Sequence, residues 1–190
     1  MPSNCWIQKL LFTISIGLAP VALSGCVTST SHHNPNMRGL QEVIQTEFPT
    51  VQGPRQSLAA YSGKIVMLHF FASWCSDCIG EAPSLSNLDA ALRGSDFQIV
   101  GIAIDADPFE TRTFVSRFKI PFPVIIDTQG ELKQYFSVKD VPTTIFLDRM
   151  GVPVTFQDPE TGTATAKLSG ARRWDTTKPV EMIAGMIEAR

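Results

Sequence analysis

Two cysteines two residues apart, in the stretch Trp74-Cys75-Ser76-Asp77-Cys78, are the side chains of this sequence best placed to do chemistry. The run before them, Ile65 to Phe71, is apolar, and the stretch after them has helical periodicity, so the pair falls at a helix start. Two thiols on one helical turn can close a small disulfide ring and open it again. The first of them faces unpaired backbone N–H groups and the positive end of the helix dipole, and both favour thiolate, the reactive form. Thiol–disulfide exchange needs a thiolate that attacks a substrate disulfide and a second thiol that resolves the mixed disulfide. Cys75, exposed at the helix entrance, suits the first role; Cys78, one turn deeper, suits the second. A structural disulfide or half of a zinc site would use the same residues. A zinc site, however, needs two further ligands, and the sequence has no second close cysteine pair. Asp77 brings a negative charge to the thiols and disfavours thiolate, which makes the dithiol a better electron donor and predicts a reductant. Solvated, the same carboxylate would contribute little.

The elements that must hold this pair can be read in chain order. Met37 to Phe48 carries a short amphipathic pattern (Leu40, Val43, Ile44), and Thr50 to Ser62, with Gly53-Pro54, reads as a turn or hairpin. Ile65 to Ala72 is apolar on both alternations, as a central strand covered on both faces should be. The helix after Cys75 is predicted to reach about Leu92, with Pro83 kinking it and Leu85, Leu88 and Leu92 on its core stripe. Phe97 to Ile104 is a second buried strand. Asp107-Pro108-Phe109-Glu110 is a helix start, with an Asp N-cap, Pro at the first position and Glu three after the cap. Phe122 to Ile126 reads as a third strand and Glu131 to Phe136 as a short helix. Thr144 to Leu147 should form a hairpin through Asp148-Arg149-Met150-Gly151 with a returning strand, Val152 to Phe156. A loop at Asp158 to Gly162 and a strand-like run, Thr163 to Leu168, follow. The last helix, from near Pro179, presents Val180, Ile183, Ala184 and Ile187 on one face, and Trp174 is expected to staple it. The alternation βαβαβ, then a hairpin, then a helix, implies an α/β fold with a central mixed sheet and helices on both faces.

Trp-Cys-x-x-Cys after an apolar strand, Val141-Pro142-Thr143 before the hairpin and the closing helix resemble the thioredoxin fold. Gly63 to Leu68, Phe70 to Cys75, Glu81-Ala82-Pro83 and Pro121 to Val124 narrow the likeness to the extracytoplasmic TlpA/ResA-like thioredoxins. The resemblance spans about Phe48 to Ile187. It implies that Cys75 is the nucleophile, Cys78 the resolving cysteine and Pro142 a cis-proline facing the disulfide. Val141 would then offer its backbone to an extended substrate; an ordinary trans turn proline is the alternative. Glu81, one turn after Cys78, matches the acidic residue of this family and could exchange a proton when Cys78 attacks; by spacing alone a solvated helix glutamate fits equally. Trp74 would wall the disulfide or serve as plain packing. His69 departs from the family, standing where thioredoxins keep a buried acid and this subfamily often has Asn. It is either a buried neutral histidine satisfied by backbone or a proton relay to Cys78. Phe156 to Leu168 is longer than usual. A thiol peroxidase is disfavoured, because peroxidatic sites place Thr three residues before the cysteine and this chain has Ala72.

The N-terminus resembles a bacterial lipoprotein signal. Lys9 precedes an apolar stretch, Leu10 to Leu23, that ends in Leu23-Ser24-Gly25-Cys26, like a lipobox. An ordinary signal peptide or an uncleaved anchor are the alternatives. The expected organisation is a signal peptide over 1–25, a lipidated Cys26 with a flexible tether to 37, and a thioredoxin-like domain over 38–190. Cys5 would leave with the signal, and Cys75 and Cys78 would remain for redox work. His32-His33 reads as solvated tether. Val27, where an Asp would resemble an inner-membrane retention signal, leans towards the outer membrane of a periplasm-facing protein. The 190 residues suffice for one domain, and the net charge of −2 leaves no footprint for nucleic acid. The resemblance implies no cofactor, a protein disulfide as substrate (apocytochrome c or a metal-delivery protein) and a transmembrane electron donor of the DsbD type. A copper chaperone using Cys75 and Cys78, with His69, is the reading from a different class.

Overall fold

The computed structural model describes residues 35–189. Cys26, the apolar run before it and His32-His33 lie outside the described residues. Strand β1 (Ile65–Phe71) is buried along its whole length and is the axis of a five-stranded sheet. Parallel to it run β2 (Phe97–Ala103) and, beyond that, β3 (Val124–Ile126). On its other side β4 (Thr143–Leu147) runs antiparallel, pairing His69 with Thr144 and Phe70 with Thr143.

Period-two alternation along β1 divides its side chains between two cores. Met67 and Phe71 join Ile99, Val124 and Phe146 under α2 (Ser76–Ala91), α3 (Pro108–Phe118) and α5 (Thr177–Glu188), which contribute Leu85, Leu88, Phe114 and Ile183. Leu68 and Phe70 face the opposite layer, with Val100, Ile102 and Ile145, under α1 (Pro35–Gln45) and α4 (Glu131–Tyr135). His69 therefore points into the first core, the side of α2. Helices cover both faces, as the alternation of strands and helices implied.

Helix starts obey local chemistry. Asp107 accepts a hydrogen bond from the Phe109 N–H at 2.9 Å, with Pro108 at the first helical position. α2 continues through Pro83, whose ring removes the N–H that the Ile79 carbonyl would have accepted. α5 begins at Thr177, two residues before Pro179. A single 3-10 turn, Leu58–Tyr61, stands in the segment read as a turn or hairpin.

The returning strand expected over Val152 to Phe156 does not form. Asp148 N–H donates to the Val152 carbonyl and Val154 N–H to that of Phe146, which makes one antiparallel bridge between Leu147 and Pro153, and the pairing goes no further. The chain instead leaves the sheet. β5 (Phe156–Gln157) and β6 (Ala164–Thr165) make a separate two-stranded ribbon, and only β7 (Leu168–Ser169) returns to pair with β4 as the edge strand. The ribbon accounts for the unusual length of this region. Lys167 anchors its exit, Nζ donating to the carbonyls of Phe136 and Ser137.

Candidate active site

β1 ends at Phe71, the chain turns through Ala72 to Trp74, and Cys75 caps α2, its Sγ accepting the Cys78 N–H at 3.2 Å. The turn is held by Asp105, a buried carboxylate after β2. It accepts from the Ser73 N–H and Ser73 Oγ–H at 2.9 Å each and from Thr111 Oγ–H at 2.8 Å. The entrance to α2 is thereby tied to both β2 and α3.

Cys75 and Cys78 are joined as a disulfide, with Cα atoms 5.3 Å apart. Cys75 was expected to be exposed, but the residue keeps only 7% of its surface, against 2% for Cys78. The loop before β4 crowds it: the Val141–Pro142 peptide is cis, and the Val141 carbonyl oxygen lies 3.6 Å from Cys75 Sγ. Trp74 is 70% exposed, so it is not a core packing residue.

Glu81 is not a solvated helix residue. Its side chain is buried, and both of its hydrogen bonds fall on one oxygen. Oε1 accepts the Trp174 Nε1–H at 2.7 Å and the Arg172 backbone N–H at 3.0 Å, while Oε2 has no hydrogen-bond partner. Burial pushes the carboxyl up to about 7, against the two N–H donors and the Arg172 guanidinium, which favour the charged form; Asp77 adds to the rise.

His69 is equally buried, and burial pulls its imidazole down to about 4. The expected backbone partner is replaced by a side chain, Thr144 Oγ1, 3.1 Å from Nδ1 on the antiparallel neighbour. Its Nε2 lies 3.7 Å from Glu81 Oε2. Both groups are shifted towards their neutral forms by the same cause, so between about pH 4 and 7 the contact is a neutral acid beside a neutral imidazole, and at no pH is it a full ion pair. His69 also shares with Cys78 the wall of an apolar cavity of about 10 Å³, lined too by Phe71, Ala82 and Leu85. That is the lower limit for one water, and the lining offers too few polar partners to hold it.

Asp105, Arg172 and Thr144 were not singled out from sequence. Arg172 offers its backbone and Thr144 its hydroxyl. Trp174 was assigned to the last helix; it is fully buried and touches α2 twice, through Glu81 and through its own N–H to Ser84 Oγ at 3.3 Å. A buried indole N–H needs an acceptor, but nothing local to Arg172-Arg173-Trp174 says that the acceptor is Glu81. Among the described residues no group of three or more His, Cys, Asp or Glu is arranged to hold a metal ion.

The sheet order and the cysteine pair at the entrance to α2 define a thioredoxin-like protein, and its class is thiol–disulfide oxidoreductase. The chain belongs to the AhpC/TSA family, whose sequence model matches residues 40–154. It is similar to the thiol-disulfide oxidoreductase ResA of Bacillus cereus, 28% identical over 149 residues, 76% of this chain and 84% of that one. With the thioredoxin-like protein YneN of Bacillus subtilis it shares 31% identity over 135 residues, 68% of this chain and 76% of the other. The crystal structure of a secreted Mycobacterium tuberculosis disulfide oxidoreductase, described as homologous to Escherichia coli DsbE, superposes with a TM-score of 0.58 at 27% identity, covering 78% of this chain and 98% of that one.

Proposed function

We propose that the protein is an extracytoplasmic, lipid-anchored reductant of protein disulfides. In the reduced state the Cys75 thiolate attacks one sulfur of a substrate disulfide, forming the mixed disulfide and expelling the first substrate thiolate. Cys78 gives up its proton and attacks Cys75 Sγ, the mixed disulfide breaks, and the second substrate thiolate leaves. Two electrons have passed from the dithiol to the substrate. Glu81, one turn along α2 from Cys78, takes that proton and returns it in the reverse cycle; a carboxyl poised near 7 exchanges protons in either direction at neutral pH. Val141 offers its backbone to an extended substrate at the place where its carbonyl approaches Cys75, Pro142 shapes that loop, and Trp74 supplies an exposed apolar contact.

The observation that carries the reading is a cysteine pair at the α2 entrance with a buried carboxyl, held through one of its oxygens, one turn away. Asp77 in the first turn of α2 supports the reducing direction, since its charge opposes thiolate. The lipobox-like Leu23-Ser24-Gly25-Cys26 supports an anchor on Cys26 over a signal at 1–25 and a tether to 37, with the domain of 38–190 facing the periplasm. Val27 favours the outer membrane. Apocytochrome c or a metal-delivery protein as substrate, and a DsbD-type membrane protein as electron donor, follow from the family likeness. The copper-chaperone alternative would need Cys75 and Cys78 to hold the metal, with His69.

Cys78→Ser should trap substrates on Cys75 as mixed disulfides, to be identified by mass spectrometry. Recovery of periplasm-exposed cysteine proteins is the expected result, and a variant that traps nothing while the reduced parent holds copper tightly would sink the reading. Equilibration with glutathione tests the direction: a potential as high as that of a strong oxidant would reverse it.

A further inference from the structure

We infer that Arg172 to Trp174 form a positioning strap for Glu81, anchored by the β5–β6 ribbon, which occupies one carboxyl oxygen and confines proton exchange to the other. The inference rests on the acid–base role proposed for Glu81 and assigns the residues that make it possible.

Both donors of the strap converge on Oε1, at 2.7 Å from Trp174 and 3.0 Å from Arg172. An oxygen already accepting two N–H bonds has no room for a proton, so the neutral carboxyl must carry its hydrogen on Oε2, the atom left without a partner. The strap itself is pinned at both ends. Trp174 N–H donates to Ser84 Oγ, which donates in turn to the Glu81 carbonyl at 2.9 Å, and the indole meets Phe146 edge-on at 6.5 Å between centroids. The Arg172 guanidinium, almost fully buried, reaches Asp158 at 3.3 Å and Glu160 at 3.7 Å in the ribbon turn. The added length of this region thus ends in a contact with the carboxyl rather than in a free loop.

The charged and titratable groups around Glu81 are few. His69 faces Oε2 from β1, Asp77 and Cys78 share α2 with it, and Arg172 approaches from the strap with Asp158 and Glu160 behind it. Of the strap's two hydrogen bonds to the carboxyl, the indole N–H is the one that a side-chain change removes without removing a charge.

The test is the titration of the Glu81 carboxyl by carbon-13 NMR, assigned with Glu81→Gln, beside the pH–rate profile of disulfide reduction. Losing a hydrogen bond to the carboxylate disfavours the charged form, so Trp174→Phe should raise the carboxyl midpoint by about one pH unit. Because Trp174→Phe leaves space in the core, site-specific replacement of the indole by its benzothiophene isostere repeats the measurement with the shape kept. An unmoved midpoint in the isostere overturns the strap, whatever the rates do. A raised midpoint supports it. If the midpoint rises and the rate profile stays where it was, the strap stands and the acid–base role of Glu81 falls instead.

Discussion

At the scale of single residues, folding exchanges a proton between Glu81 and His69. Unfolded at pH 5.5 or so, with ordinary values of about 4.3 and 6.5, the glutamate is charged and the histidine protonated. Folded, with values of about 7 and about 4, the glutamate holds the proton and the histidine is neutral. The signs follow from linkage. Glu81, raised on folding, contributes stability that is complete below about 4.3 and lost as pH rises through about 7. His69, lowered on folding, contributes stability that is complete above about 6.5 and lost as pH falls through about 4. Between about 4.3 and 6.5 the two slopes oppose each other and the pair's net contribution is flat. Each variant should unmask the other's slope in denaturant titrations. Glu81→Gln should gain stability as pH rises from about 4 to 6.5, and His69→Asn should lose it as pH rises from about 4.3 to 7, by about 1–3 kcal/mol in each case. Equal, flat profiles for both variants would contradict the exchange. His69→Asn also tests the relay: an unchanged pH–rate profile would leave Glu81 as the proton acceptor without help from the imidazole.

At the scale of elements, the site is a junction of β1, α2, the loop before β4 and the strap before α5. Asp105 holds the first of these joints. Replacing it with Ala strands the Ser73 and Thr111 hydroxyls and frees the turn that sets Cys75. We expect a loss of about 1–3 kcal/mol in unfolding free energy, with slower exchange at unchanged carboxyl titration. Packing between strands sets a second limit. A Cβ on Gly101 would lie 3.1 Å from both the Phe71 and the Val124 side chains, so Gly101→Ala should destabilise by about 1–3 kcal/mol, read in a thermal or denaturant melt. The helix starts were legible because an N-cap is written within four residues; Asp107-Pro108-Phe109-Glu110 is a local signal. The failed hairpin arm was not. Val152 to Phe156 has strand composition, yet pairing stops at the Leu147–Pro153 bridge because Phe156 turns to pair with Thr165 in the ribbon, and Leu168 and Ser169 take the place beside β4.

At the scale of the whole molecule, the described domain carries every residue assigned to exchange, and the proposed anchor lies outside it. Cys26→Ser should therefore release the protein from the membrane fraction while reduction of a soluble disulfide substrate continues at the parent rate, with fractionation and a turnover assay as the two readouts. Loss of turnover in the released protein would tie the chemistry to the membrane. Among the described residues no helix is long and apolar enough to cross a bilayer.

Sequence alone determined whatever short-range chemistry dictates. The apolar run of β1, the cysteine spacing at the entrance to α2, the cap of α3 and the mixed sheet with helices on both faces are all readable, because periodicity and capping act over one or two turns of chain. Only the tertiary structure decided the state of the buried carboxyl. Glu81 meets His69 across the strand–helix interface, Arg172 and Trp174 reach it from some ninety positions further along, and burial outweighs all of them in setting its charge. A residue's local spacing says which face of a helix it occupies. It does not say whether water remains there once the chain has closed, and the removal of that water is what lifts the Glu81 carboxyl from its ordinary value to about 7.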